Sequence, residues 1–215
     1  KFQVVNVQYG RGERAKKNPN TGESVAGPVT LSEEELAKNR VNVFEELKKH
    51  PLDDQWHRSR SADLSKVTTP LLTCANWGGQ GIHPRGNFNG FTKTRAKQKW
   101  LEVHGDSHWS LFYSAYGLGL QKRFFDYFLK GIDNGWDKQP RVQLNIRYPG
   151  EKFVLRMEKE WPLARTQWTK FYLDPASMTL SPKPIAKERK VEYEAFGKGL
   201  TFSMAPLEKE SEITG

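Results

Sequence analysis

The chain has 215 residues, 36% hydrophobic and 27% charged, with seven Trp and twelve Phe. That suffices for one large domain or two small ones and lies outside the disordered class. Its formal net charge of +9 spreads evenly, as excesses of two, four and three over residues 1–68, 69–135 and 136–215, with no concentrated basic surface.

Nucleic acid is therefore not an expected partner, because electrostatic recognition needs basic residues gathered on one face. No stretch approaches the ~18 apolar residues of a membrane span, so a membrane is not expected either. Cys74 is the one cysteine and lies in an apolar run. It reads as a buried thiol and leaves no internal disulfide, which favours the cytoplasm without fixing a compartment. Lys1 is not a native start, which leaves room for a lost upstream segment.

Residues 1–30 read as irregular. Gly10-Arg11-Gly12-Glu13-Arg14-Ala15 fits a loose dinucleotide pattern, but a turn-rich loop follows it and no helix is there to receive a pyrophosphate. Ser32 and Glu35 have the spacing of a capping box. The helix they open carries Leu36, Val43, Phe44 and Leu47 as its apolar stripe and runs to about Lys49, before Pro51. Asp53-Asp54 opens a short second helix, as capping acids and not as a catalytic pair. The whole segment, with few β features, reads as a lid or insertion.

Thr69 to Gly131 is the organised centre. Thr68 to Asn76 holds a continuous apolar run after Pro70, as expected of a strand covered on both faces of a parallel sheet. It ends in Trp77-Gly78-Gly79-Gln80-Gly81, a glycine-rich loop at the edge where open α/β sheets bind ligands. Arg85 to Ala96 predicts a helix with Phe88 and Phe91 inward. Lys99 to Val103 alternates and predicts the next strand. Leu118, Leu120, Phe124, Phe125, Phe128 and Leu129 predict a helix with one buried face, closed by Gly131. After a boundary at Asp133 to Asp137, short strands are expected at Pro140–Tyr148, Phe153–Met157, Thr169–Leu173, Val191–Tyr193 and Leu200–Met204, the pattern of an antiparallel β domain cut short.

His104, Asp106 and His108 form the chemical centre. As metal ligands they are three donors in a loop, short of the four a structural zinc wants, so neither metal nor cofactor is expected. As a proton carrier, one of the histidines suits the general base of a serine hydrolase. Both also suit loop hydrogen bonds.

The ordered motifs Asn76 to Gly81, Lys99 to Gly105, His108-Trp109, Leu120 to Gly131 and Asn134-Gly135-Trp136 resemble the X-prolyl dipeptidyl-peptidase and cocaine-esterase family of serine hydrolases. The resemblance covers most of the chain. It implies an α/β fold made of a helical cap segment (1–67), the C-terminal half of an α/β-hydrolase core (68–135) and an incomplete antiparallel, jelly-roll-like β domain (136–215). It implies cleavage of ester or amide bonds, acyl or X-prolyl peptide, through an acyl-enzyme, with His108 as general base and acid and Trp77 and Trp109 lining the acyl pocket. His104 is then structural.

Two departures stand out. Gly78-Gly79 occupy the place of the triad acid, and a glycine cannot accept an imidazole N–H. No serine lies in a Gly-x-Ser elbow: Ser32 caps a helix, Ser107 neighbours the proposed base, and Ser110 and Ser114 lie in an ordinary helix approach. The expected nucleophile is therefore outside this chain, in an N-terminal half on a separate chain or in a homo-oligomer. The alternative is a non-catalytic binding or structural module that kept the fold.

Overall fold

The computed structural model describes residues 17–24, 31–38, 42–79, 83–105 and 107–214, with the side chains of Glu33, Leu36 and His108 excepted. The dinucleotide-like pattern at Gly10–Ala15 lies outside the described residues, as do Gln80, Gly81 and Asp106. The chain divides into two compact units, Lys1–Asp63 and Leu64–Gly215.

Among the described residues the first unit holds three short helices, α1 (Glu33–Lys38), α2 (Val43–Lys49) and α3 (Gln55–Ser59). The capping box forms as expected: Ser32 N–H donates to Glu35 Oε2 at 3.0 Å, and Glu35 N–H to Ser32 Oγ at 3.3 Å. The single helix expected over 32–49 is instead two, because Asn42 caps a fresh start by accepting the Glu45 N–H. Asp54 caps α3 and also meets His50 Nδ1 at 2.5 Å, so its carboxyl is held below the usual range by that histidine. His50 stacks on Trp56, with ring centroids 5.0 Å apart. No residue of α2 or α3 is buried, and caps, ion pairs and this ring stack are the contacts that these two helices make among the described residues.

The second unit is built on a four-stranded sheet, β1 (Leu71–Asn76), β2 (Lys99–His104), β3 (Val142–Tyr148) and β4 (Lys152–Glu158), in that order. β1, β2 and β3 are parallel and β4 returns antiparallel to β3. Parallel strands need crossovers. The helix α4 (Pro84–Lys93) links β1 to β2, and α5 (His108–Phe112) with α6 (Ala115–Lys130) links β2 to β3. The strand–helix–strand–helix order over 68–131 is thus as the apolar pattern predicts. A separate hairpin pairs β5 (Tyr172–Asp174) with β6 (Thr179–Ser181).

The strand period of two sorts side chains onto the two faces. Ala75, Leu101, Val103, Val142 and Leu144 form one buried layer with Phe91 of α4 and with Leu163. Trp100 packs on the other face with Leu120 and Phe124 of α6 and with Trp136. The Trp136 ring lies 5.5 Å from Trp100 and 5.3 Å from Phe124. β2 is therefore covered on both faces. Gly131 ends α6 in the left-handed region at φ 67°, where only glycine fits without cost.

Three sequence expectations change. β3 and β4, expected in the following β segment, belong to the sheet of β1 and β2, because the apolar Val142 and Leu144 seal the layer over Leu101 and Val103. Val191–Tyr193 forms no strand, and Leu200–Met204 contributes one bridge, Ser203 to Thr179. On α6, Leu118, Phe125 and Leu129 stay exposed. They form a second stripe beside the buried one, so the helix has two apolar faces where one was expected.

Removing a fully buried aromatic leaves a cavity that neighbours fill poorly, so Trp136→Ala should cost about 3–5 kcal/mol of unfolding free energy. Denaturant melts measure this, and a loss below about 1 kcal/mol would show that this layer does not hold the unit together. Asp126 offers a second test. Lys122 first and Lys130 second hold its carboxyl below the usual range. That stabilisation is complete above the ordinary carboxyl pKa and is lost as pH falls through the lowered one. Below about pH 4, the wild-type melting temperature should fall more steeply than that of Asp126→Asn. Parallel acid limbs would contradict the assignment.

Candidate functional site at the carboxyl edge of the sheet

The register pairs Asn76 with His104, so β1 and β2 end side by side. Their following segments leave the sheet at one edge, the edge where open α/β sheets receive ligands. From β1 comes the turn Trp77–Gly79. From β2 come Gly105 and α5, whose N-cap Ser107 accepts the Ser110 N–H at 3.4 Å.

The expected site residues fall here, with different surroundings. His108 is the first residue of α5, not a loop residue, and its side chain lies outside the described residues. Trp109 is 61% exposed and stacks on Tyr113, with centroids 6.3 Å apart. Phe112 and Tyr116 are exposed beside it in sequence, so α5 and the start of α6 carry an aromatic surface. Trp77 is fastened: its indole N–H donates to the Asn145 carbonyl at 2.6 Å, and its ring packs 6.0 Å from Phe88. Gly78 and Gly79 complete the turn after Trp77 without a side-chain acceptor. Among the described residues no group of three or more His, Cys, Asp and Glu could hold a metal ion.

Two close approaches shape the α5–α6 corner. A Cβ on Gly105 would lie 2.6 Å from the Phe153 ring, and one on Gly117 would run into the Leu111 carbonyl. Ser114 caps α6 by accepting the Gly117 N–H at 3.2 Å.

Sequence reading missed Glu102. Its carboxylate Oε2 lies 2.9 Å from His104 Nδ1, and the two side chains are 2% and 7% exposed. Two residues apart on a strand, they project to the same face. Cys74 and Gln143 are their cross-strand neighbours on that face. Burial, then the Glu102 charge, pushes the Cys74 thiol up to about 12. Burial, then Glu102, then Cys74, does the same to the Tyr116 phenol. Glu102 Oε1 and His104 Nε2 are buried without a hydrogen-bond partner. Such atoms cost about 1–3 kcal/mol each, so the pair is an expensive feature for a core. The signal was present in sequence as Glu-x-His at the end of a predicted strand.

Comparison with known proteins follows this geometry. Two solved structures of a CocE/NonD family hydrolase from Staphylococcus aureus match with 35% identity and a TM-score of 0.62, over 72% of this chain. The chain spans 28% of the length of those structures. No protein-family model and no curated protein matches it. The structure is thus a mixed helix and strand fold with a parallel-containing sheet, hydrolase-like and similar to CocE/NonD hydrolases. The X-prolyl dipeptidyl-peptidase expectation is finer than these neighbours reach. No helix among the described residues is long and apolar enough to cross a membrane.

The corner predicts a sharp steric effect. Gly117→Ala must displace the Leu111 carbonyl, a backbone atom, and should cost about 1–3 kcal/mol in thermal unfolding. Gly119→Ala, where a Cβ meets open space, should stabilise slightly or leave stability unchanged. Equal behaviour of the two variants would contradict the described corner.

Proposed function

We propose that this chain is part of an α/β-fold serine hydrolase of the CocE/NonD kind. The protein would cleave ester or amide bonds, acyl or X-prolyl peptide, through an acyl-enzyme. The observation that carries this reading is the 35% identity to a CocE/NonD hydrolase over 72% of the chain, together with a parallel β1–β2 pair whose histidine-bearing segment emerges beside the Trp77 turn.

In this reading residues 1–67 are cap and 68–135 are the second half of the catalytic core. Residues 136–215 add β3 and β4 and lead into a jelly-roll-like domain. The acid–base histidine belongs to the end of β2, where the resemblance assigns His108. It would take the nucleophile's proton and return it to the leaving group. Trp109, exposed and aromatic, suits an acyl-pocket wall. Trp77 acts more as the anchor between its turn and β3.

The nucleophile would come from outside these 215 residues, from another part of the same protein, a separate N-terminal half or a second copy. Ser107 and Ser114 support this, since both are committed to helix caps. The substrate is then a small ester, amide or peptide, and no nucleic acid, membrane or cofactor enters the reaction.

The test is hydrolysis of p-nitrophenyl acetate by the native polypeptide that carries this chain. Turnover is expected, and replacing both His104 and His108 by Gln should lower it at least about 100-fold. A well-folded native polypeptide without turnover would favour the other reading, a non-catalytic module that kept the hydrolase fold.

A further inference from the structure

The sequence predicts no concentrated basic surface, yet the fold gathers one. Residues 64–101 carry Lys66, Arg85, Lys93, Arg95, Lys97 and Lys99 and no Asp or Glu. Lys93 to Lys99 runs from the last turn of α4 to the start of β2. Because β1, β2 and β3 are parallel, their amino ends share the edge opposite the candidate site. There the Leu71 N–H donates to the Gln98 carbonyl at 3.0 Å and the Leu101 N–H to the Arg141 carbonyl at 2.9 Å. The Trp100 indole N–H donates to the Gln139 carbonyl at 3.4 Å, which brings the segment of Lys138 to the same edge.

The cations are arrayed and held. Thr94, the C-cap of α4, is extended at φ −71° and ψ 149°. Side chains alternate around it: Lys93, Arg95 and Lys97 are exposed, while Thr94 and Ala96 are buried. Three positive groups therefore line the outer side. Lys99 and Arg141 are half-buried behind them. The Lys99 ammonium donates to the Thr94 carbonyl at 3.0 Å and sits 5.3 Å from the Phe91 ring centre. The Arg141 guanidinium lies 4.4 Å from the Trp100 ring centre. Donors fixed in this way lose little freedom on binding.

These cations also lack acid partners. Elsewhere on the unit, Lys122 and Lys130 share Asp126, Arg147 meets Glu151, and Arg156 meets Glu158 and Glu212. Among the described residues, no carboxylate forms an ion pair with Lys93, Arg95, Lys97, Lys99, Lys138 or Arg141. Asp137, next to Lys138 in sequence, offsets one of these charges and leaves a strong local excess. Like charges held together repel, a cost that an anionic partner removes.

The surroundings select the kind of anion. Among the described residues of 64–101 and 133–147, no large hydrophobic side chain is exposed. Single-stranded nucleic acid stacks on exposed aromatics, and a membrane-binding face adds apolar anchors. Duplex DNA takes a helix or ribbon into a groove, whereas α4 arrives here by its C-terminal end. Charge alone is left as the means of recognition, which suits carboxylates on an extended chain.

We propose that this amino edge, centred on Lys93, Arg95, Lys97, Lys99 and Arg141, docks an acidic, Asp- and Glu-rich segment of a partner protein. Its carboxylates pair with the two guanidinium groups through paired N–H donors and with the lysines as point charges. The surface lies away from the candidate site and does not depend on the hydrolase reading.

The experiment uses the native polypeptide and a fluorescein-labelled oligoglutamate of about ten residues, read by fluorescence anisotropy at low salt. Binding is expected, and it should weaken at least about tenfold when ionic strength is raised about tenfold. Arg95→Glu with Lys97→Glu should weaken it at least about tenfold, and Lys183→Glu with Lys187→Glu less than about twofold. Both pairs are exposed and change the net charge equally.

No binding, or equal losses in the two charge-reversed proteins, overturns the proposal. Tighter binding to phosphatidylglycerol vesicles or to duplex DNA overturns it as well, since the edge then serves a membrane or a nucleic acid. Should the Arg95 and Lys97 reversal fail to fold, Arg95→Gln with Lys97→Gln decides: an affinity within about twofold of the parent overturns the proposal.

Discussion

The parallel pairing of β1 with β2, in a register that sets Asn76 opposite His104, organises the second unit. A parallel pair exposes both carboxyl ends on one edge and forces each connection to cross a face of the sheet. The helices that make those crossings bring the covering layers: Phe88 and Phe91 from α4 on one face, Leu120 and Phe124 from α6 on the other. One register thus fixes the core and places the Trp77 turn beside the segment that leads to α5.

That double coverage also explains the chemistry at the edge. β2 has no solvent face beyond Lys99, so Glu102 and His104 are carried into the interior. Two titratable groups on one face, two residues apart, then satisfy each other at 2.9 Å. A carboxylate taken out of water needs such a partner. The pair is only half-satisfied, since each member keeps one buried atom unpaired. The two unpaired atoms make the pair a costly feature of the interior.

How legible was this in the sequence? The parallel pair and both crossover helices were, because Leu71-Leu72-Thr73-Cys74-Ala75 is apolar without alternation and Gly131 marks the end of α6. The capping box at Ser32 and Glu35 was legible for the same local reason. The extent of the sheet was not. Val142-Gln143-Leu144-Asn145-Ile146 alternates like a half-exposed antiparallel strand, yet Gln143 is buried next to Glu102 and β3 extends the parallel sheet. Tertiary cover overrode the pattern. The site was legible as a place and not as a set of residues: the family resemblance marked Gly78-Gly79 as the place of a missing acid, but nothing local announced Glu102. Trp109 sits at the expected edge with an exposed face, while Trp77 is held by Asn145 and Phe88.

On the function proposed above, this chain supplies the acid–base half of a serine hydrolase whose nucleophile lies elsewhere. Labelling the native polypeptide with a fluorophosphonate probe, then mapping the modified peptide by mass spectrometry, tests this most directly. The account predicts one labelled serine in a peptide outside these 215 residues, with labelling lost on denaturation. Stoichiometric label on a serine within the chain, or none on the folded protein, would contradict it.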